Sequence, residues 1–218
     1  MVVSPILRGM LGLQSDARAH LLTFGPHVPA DWTAFSVHNA RVGEVSLDLQ
    51  YRKTTDSQTL EAKRTGNGDC SVEFSPAFSL RTQVLSVEMN GRSLPFKVRP
   101  NRNDQHLSLR FPVDGGPNVL VVHVKNDFGL ALSNELPPLG SASRGLRVLS
   151  ESWNQARTEV TLETSGRGGS HYEMNVWNPA QIASAEGAVL TKAGKLEITM
   201  PAGQDSYVPQ KVVIHFAR

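Results

Sequence analysis

Residues 44–52 alternate without a break. Val45, Leu47, Leu49 and Tyr51 fall on one side, and Glu44, Ser46, Asp48, Gln50 and Arg52 on the other. A period of two marks a strand with one buried and one wet face, and no helix presents it. The pattern returns in Cys70-Val72-Phe74, in Leu85-Val87-Met89 and in Leu107-Leu109-Phe111-Val113. Val119 to Val124 is nearly continuous apolar and is expected to be a central strand, with His123 on its less buried side. Asn90-Gly91 is a strong hairpin signal, and Val42-Gly43, Gly66-Asn67-Gly68-Asp69 and Asp114-Gly115-Gly116-Pro117 are further turns. Short strands at this spacing predict an all-β chain of antiparallel β-sandwich type, immunoglobulin-like or Greek-key.

Residues 135–145, rich in proline and glycine, form the clearest break. Beyond it, Leu146–Trp153, Glu159–Thr164, Tyr172–Trp177, Leu196–Met200 and Lys211–Phe216 read as a second set of strands. Gly166-Arg167-Gly168-Gly169 is the expected hairpin loop and Ala193-Gly194-Lys195 a tight turn. The exception to this strand-rich pattern lies at the start. Val2 to Leu13 reads as a short helix with Ser4 as N-cap, Pro5 where a helix tolerates proline, and Gly12 as a stop. Ile6, Leu7, Met10 and Leu11 share one face, with Leu13 at its margin, and so short a helix needs that face docked. It either caps a sandwich edge or closes a helical domain that precedes it, and the second reading is adopted. The expected division is therefore residues 1–14 as the terminal helix of a helical domain, 15–138 as the main sandwich, and 145–218 as a smaller sandwich or added sheet.

The 218 residues are long enough to bury a substantial core, and 39% hydrophobic with 19% charged residues is ordinary for a globular chain. A net charge of +2 with scattered Lys and Arg gives nucleic acid and anionic membranes no support as partners. No apolar run reaches the ~20 residues of a membrane-spanning helix. Met1-Val2-Val3 lacks the basic start of a signal peptide, and localisation is left open. Cys70, in phase with Val72 and Phe74, is expected as a small buried hydrophobe.

No catalytic constellation is visible. His20, His27, His38, His106, His123, His171 and His215 are dispersed, without a His-Glu-x-x-His unit or a Cys/His cluster, so neither a metal nor a cofactor is expected. Asn101, Asn103 and Asp104 have calcium-like spacing but lack the glycine and distal Glu of an EF-hand, and a polar loop is expected. The residues left with binding chemistry are aromatic. Trp32, Trp153, Trp177, Tyr172 and Tyr207 offer flat faces that suit pyranose C–H surfaces, although core packing competes for each. Trp177, out of phase with Met174 and Val176, is expected to face outward, with loop residue Trp32 next.

Ser4 to Leu13, then Leu22 to Trp32 (Leu-Thr-Phe-Gly-Pro-His-Val-Pro-Ala-Asp-Trp), then Val37 to Leu49, follow in a characteristic order. This order resembles the join between the six-hairpin α/α toroid and the C-terminal β-sandwich of bacterial glycoside hydrolases of the glycogen-debranching and amylo-α-1,6-glucosidase type. Leu11-Gly12-Leu13, Pro26 to Trp32 and Arg41-Val42-Gly43 carry it, and it is specific only over residues 4–52. The resemblance implies a non-catalytic accessory region, because such enzymes hold their acid and base on the toroid. It makes Ile6, Leu7, Met10, Leu11 and Leu13 the surface for a helical toroid domain, or for a second copy. Two alternatives stand beside it: a carbohydrate-binding module using Trp32, Trp177, Tyr172 and Trp153 on polysaccharide, and a stand-alone β-sandwich interaction protein.

Overall fold

The computed structural model describes residues 4–132, 137–203 and 206–217. Val2 and Val3 of the expected helix, and residues 135 and 136 of the expected break, lie outside them. The chain divides into two compact units, 1–127 and 128–218.

The first unit opens with a short helical segment of π type, Pro5–Met10. Twelve strands follow: β1 (Gln14–Asp16), β2 (Leu21–Phe24), β3 (Ala34–Val42), β4 (Val45–Lys53), β5 (Ser57–Thr65), β6 (Ser71–Phe74), β7 (Ala77–Ser79), β8 (Gln83–Met89), β9 (Arg92–Ser93), β10 (Lys97–Pro100), β11 (Asp104–Pro112) and β12 (Asn118–Lys125). One sheet runs β1-β2-β6-β11-β10, with β7 pairing β11, and the other runs β3-β4-β5-β12-β8-β9. Inward side chains of both sheets fill one core, Leu22, Phe24, Val72, Phe74 and Leu107 from the first against Leu47, Leu49, Leu60, Leu120 and Val122 from the second. The expected alternation holds in β4, where Val45, Leu47, Leu49 and Tyr51 are buried, and β12 is the expected central strand, between β5 and β8, with Leu120, Val122 and Val124 buried and His123 on the less buried side. Pairing is antiparallel except between β2 and β6, which run parallel with Leu22 opposite Val72.

One expected core residue is not in the core. Leu85 is 58% exposed, whereas Val87 is fully buried. The pairing of β8 with β12 shifts register here: His123 faces Ser86 and Val124 faces Val84, so Leu85 is the unpaired extra residue of a bulge and turns outward. The Asn90-Gly91 hairpin forms as expected, both residues having positive φ (50° and 75°) as a type I′ turn requires.

The second unit carries β13 (Gly129–Leu132), β14 (Arg147–Trp153), β15 (Glu159–Arg167), β16 (His171–Trp177), β17 (Ile182–Glu186), β18 (Val189–Leu190), β19 (Lys195–Thr199) and β20 (Tyr207–Phe216). Its sheets, β13-β16-β19-β18 and β14-β15-β20-β17, share a core that includes Val160, Leu162, Met174, Leu196, Ile198, Val212 and Ile214. It is thus a sandwich of its own. Its first strand corrects the expected boundary: β13 pairs β16, so the division falls after Asp127, ahead of the proline-rich break. Residues 168–170 join β15 to β16 across the two sheets, so they are not a hairpin loop. Edge strand β14 carries a bulge between Val148 and Ser150, which leaves Leu149 64% exposed.

Aromatic rings run from the surface of the first unit to its centre. Trp32 lies 6.2 Å from Phe35, Phe35 stacks on Tyr51 at 4.9 Å, and Phe24 links Phe35 (6.2 Å) to Phe74 (5.8 Å). Burial first, and the Asp127 carboxylate second, push the Tyr51 phenol far above its ordinary 10.0.

Two measurements check this account. Leu107→Ala is expected to lower stability by about 2–5 kcal/mol in urea unfolding, against about 0.5 kcal/mol or less for Leu85→Ala. Below pH 10.0, folded and unfolded chains both keep the Tyr51 proton and stability does not depend on it. As pH rises past that value the unfolded chain releases the proton and the folded one holds it, so stability falls by up to about 1.4 kcal/mol per pH unit. Tyr51→Phe is expected to flatten that alkaline slope, read from unfolding midpoints across pH 8–11 (roughly the window set by the phenol).

Candidate functional site

Leu11-Gly12-Leu13 and the start of the Pro26-to-Trp32 run lie side by side in the first unit. The π-type segment ends with the Leu11 amide donating to the Ile6 carbonyl (3.0 Å), and the Leu13 amide donates to the Leu7 carbonyl (2.7 Å). Residues 24–27 then run between this tail and residues 75–77. On one side the Gly25 amide donates to the Leu11 carbonyl (3.1 Å) and the His27 amide to the Met10 carbonyl (2.7 Å). On the other the Ser75 amide donates to the Phe24 carbonyl (2.9 Å) and the Ala77 amide to the Pro26 carbonyl (3.1 Å). Gly12 is required at this seam. Its φ is +55°, and a Cβ there would lie 2.7 Å from the Gly25 carbonyl oxygen and 3.1 Å from the Gly25 Cα.

The five apolar residues expected to dock on a partner are divided by this arrangement. Leu11 is buried in the core of the unit, and Leu7 and Leu13 pack against it. Met10 is half-buried, and Ile6 is 37% exposed. The apolar face is therefore largely taken up by its own sandwich, and a whole unpaired face is not what the described residues present. Pro5, Ile6, Arg8 and Gly9 form the exposed part.

Beside the seam, His106 Nε2 and His27 Nδ1 lie 3.2 and 3.8 Å from one oxygen, Oδ2, of Asp104. His106 Nδ1 faces the Ser75 carbonyl at 3.4 Å. Oδ1 of Asp104 is buried without a hydrogen-bond partner. The 101–104 turn closes through the Asn101 amide on the Asp104 carbonyl (2.8 Å), while the Asp104 carboxylate turns to the histidines. Among the described residues no group of three or more His, Cys, Asp or Glu side chains is placed to hold a metal ion. Cys70 is buried, and burial pushes its thiol up, with Arg64 opposing. At one end of the unit, buried Asp127 accepts from the Thr82 hydroxyl (3.1 Å). Burial pushes the Lys53 ammonium down there, against the pull of Asp127 and Asp31.

The four aromatic residues nominated for sugar contact are divided between the two units. Trp32 is in the first unit, 40% exposed, in a turn closed by its own amide on the Pro29 carbonyl (3.0 Å). The other three belong to the second unit. Trp153 stacks on Phe216 at 5.5 Å with the edge of Phe128 against it, and its Nε1 donates to Glu151 (2.7 Å). It is a half-buried residue packed against the core of the second unit. Trp177, expected to face outward ahead of Trp32, is half-buried at the end of β16, and Trp32 is the more exposed of the two. Tyr172 belongs to a different feature altogether.

That feature is a cleft of about 1070 Å³ in the second unit, between residues 137–147 and the start of β16. Tyr172 lines it, with Arg144, Arg147, His171 and Glu173. The Tyr172 hydroxyl donates to the Arg144 carbonyl (2.9 Å) and accepts from the Arg167 amide (3.0 Å). The Tyr207 hydroxyl faces the carbonyls of Gly145 (3.1 Å) and Ser143 (3.3 Å), and the Arg147 guanidinium lies 4.1 Å from the Tyr207 ring centre. Arg144 was not singled out in the sequence because residues 135–145 read there as a break; Arg147 and Glu173 fall on expected strands, and His171 is named there only among the dispersed histidines.

Comparison with protein-family models and with curated proteins finds no match for this chain.

The seam has a sharp test. Gly12→Ala must adopt a left-handed backbone and push a methyl group against the Gly25 backbone, and is expected to lower the stability of the first unit by about 1–3 kcal/mol in urea unfolding.

Proposed function

We propose that the chain is a non-catalytic accessory region of a glycoside hydrolase-like protein of the α-glucosidase or debranching type. Its β-sandwiches support a helical catalytic domain, and the contact is made through the exposed part of the Pro5–Met10 segment. The observation that carries this reading is the seam. The end of the helical segment, with Leu11-Gly12-Leu13, accepts from Gly25 and His27, and Pro26, the start of the Pro26-to-Trp32 phrase, accepts in turn from Ala77. A helical segment fixed in this way transmits the position of whatever rests on Ile6 directly to the sandwich. No reaction is assigned to the chain itself.

The carbohydrate-binding alternative in its aromatic form has less support. It needs two or three rings on one face, but Trp32 stands in a different unit from the others and Trp153 is packed against Phe216. The stand-alone interaction protein is the reading that gains if the exposed helical part proves to be ordinary surface.

Two experiments decide. The chain, incubated with glycogen, pullulan and aryl α-glucosides, is expected to release no reducing sugar above buffer; sustained release would overturn the non-catalytic assignment. Ile6→Glu is expected to leave the urea midpoint within about 0.5 kcal/mol of the parent, while Leu11→Ala lowers it by about 2–5 kcal/mol. Equal damage from both would place Ile6 wholly in the service of its own sandwich and remove the docking surface.

A further inference from the structure

We propose that the cleft beneath residues 137–147 of the second unit is a binding site for acidic oligosaccharides, sugar chains bearing uronate carboxylates. The assignment rests on this cleft alone and is independent of the accessory reading.

Charge is the first argument. Arg144, Arg147 and His171 line the cleft, and the Arg147 guanidinium lies 4.1 Å from the Tyr207 ring centre. Glu173 is the acidic group among the described lining residues, and the Lys195 ammonium holds it at 2.5 Å. Among the described lining residues the two arginines thus outnumber the one acidic group, and a guanidinium is the group a carboxylate pairs with best.

Size and lining are the second. At about 1070 Å³ the cleft stands at the upper end of small-ligand sites, roughly 300–1,000 Å³, and a compact ion would leave most of it unfilled. Ser141 and Ser143 offer hydroxyls for a polyhydroxylated ligand, and Pro137, Pro138 and Leu132 offer apolar surface to the C–H face of a pyranose. The third argument is that the wall is fixed. Tyrosine hydroxyls engage the carbonyls of three consecutive residues, Ser143, Arg144 and Gly145, so the segment carrying Arg144 is held in place before a ligand arrives.

The test is calorimetric titration of the full chain with trigalacturonate, maltotriose and inorganic phosphate. Saturable binding of trigalacturonate is expected, weakened severalfold at about 0.5 M salt, with maltotriose and phosphate at least about tenfold weaker. Arg144→Glu is expected to weaken trigalacturonate at least about tenfold, and Arg144→Gln by less, both with an unchanged urea midpoint. Four outcomes would overturn the proposal: no saturable binding of trigalacturonate, equal binding of maltotriose, equal binding of phosphate alone, or full affinity in both folded variants. None of these bears on sugar release by the chain or on Ile6, so this proposal and the accessory reading fail separately.

Discussion

Each sheet has one apolar face that must be hidden from water, and both units are built around meeting that demand with a second sheet. In the first unit the largest fully buried side chains, Phe24 and Phe74 among them, come from both neighbouring strands of the parallel pair and meet Leu47, Leu49, Leu60 and Leu120 across the core. Burial at about 25 cal/mol per Å² of apolar surface outweighs the ordering of the strands only when both sheets contribute. The second unit repeats the solution with fewer strands and adds the Phe128–Trp153–Phe216 cluster to its core.

The opening segment obeys the same demand. A helical stretch of six residues has no stability of its own, and it persists because Leu11 is buried and Leu7 and Leu13 pack against the sandwich core. Gly12 lets the backbone come close enough for Gly25 and His27 to satisfy the carbonyls of Leu11 and Met10. What remains outside, Ile6 above all, is the part for which the sandwich itself has no use.

Much of the fold was legible in the alternation of side chains, and the misreadings have identifiable physics. Leu85 keeps perfect phase with Val87 and Met89 in sequence, but the bulge that expels it is a property of its pairing with β12. Gly129–Leu132 gives no sign of which unit it joins, since that depends on Trp177, Val176, Asn175 and Met174 lying opposite. Ile182–Glu186 was missed because Ala-Ser-Ala carries little strand preference and its ladder with β20 decides the matter. The seam was half visible: the Leu-Gly-Leu phrase marked it, but the close approach of Gly25 was not readable. The cleft was not visible at all, because its wall is a proline- and glycine-rich segment whose position is set by Tyr172 and Tyr207, both remote in sequence.

The parallel pairing of β2 with β6 is a long-range contact beside the local hairpins of the same unit. Hairpins such as β3–β4 and β4–β5 close between near neighbours and form early. β2 pairs locally with β1, but its other edge is filled only by β6, far along the chain, and closing that long loop costs entropy. The opening helical segment leans on Gly25 and His27, directly beyond β2, so its place on the sandwich depends on that long-range pairing being made.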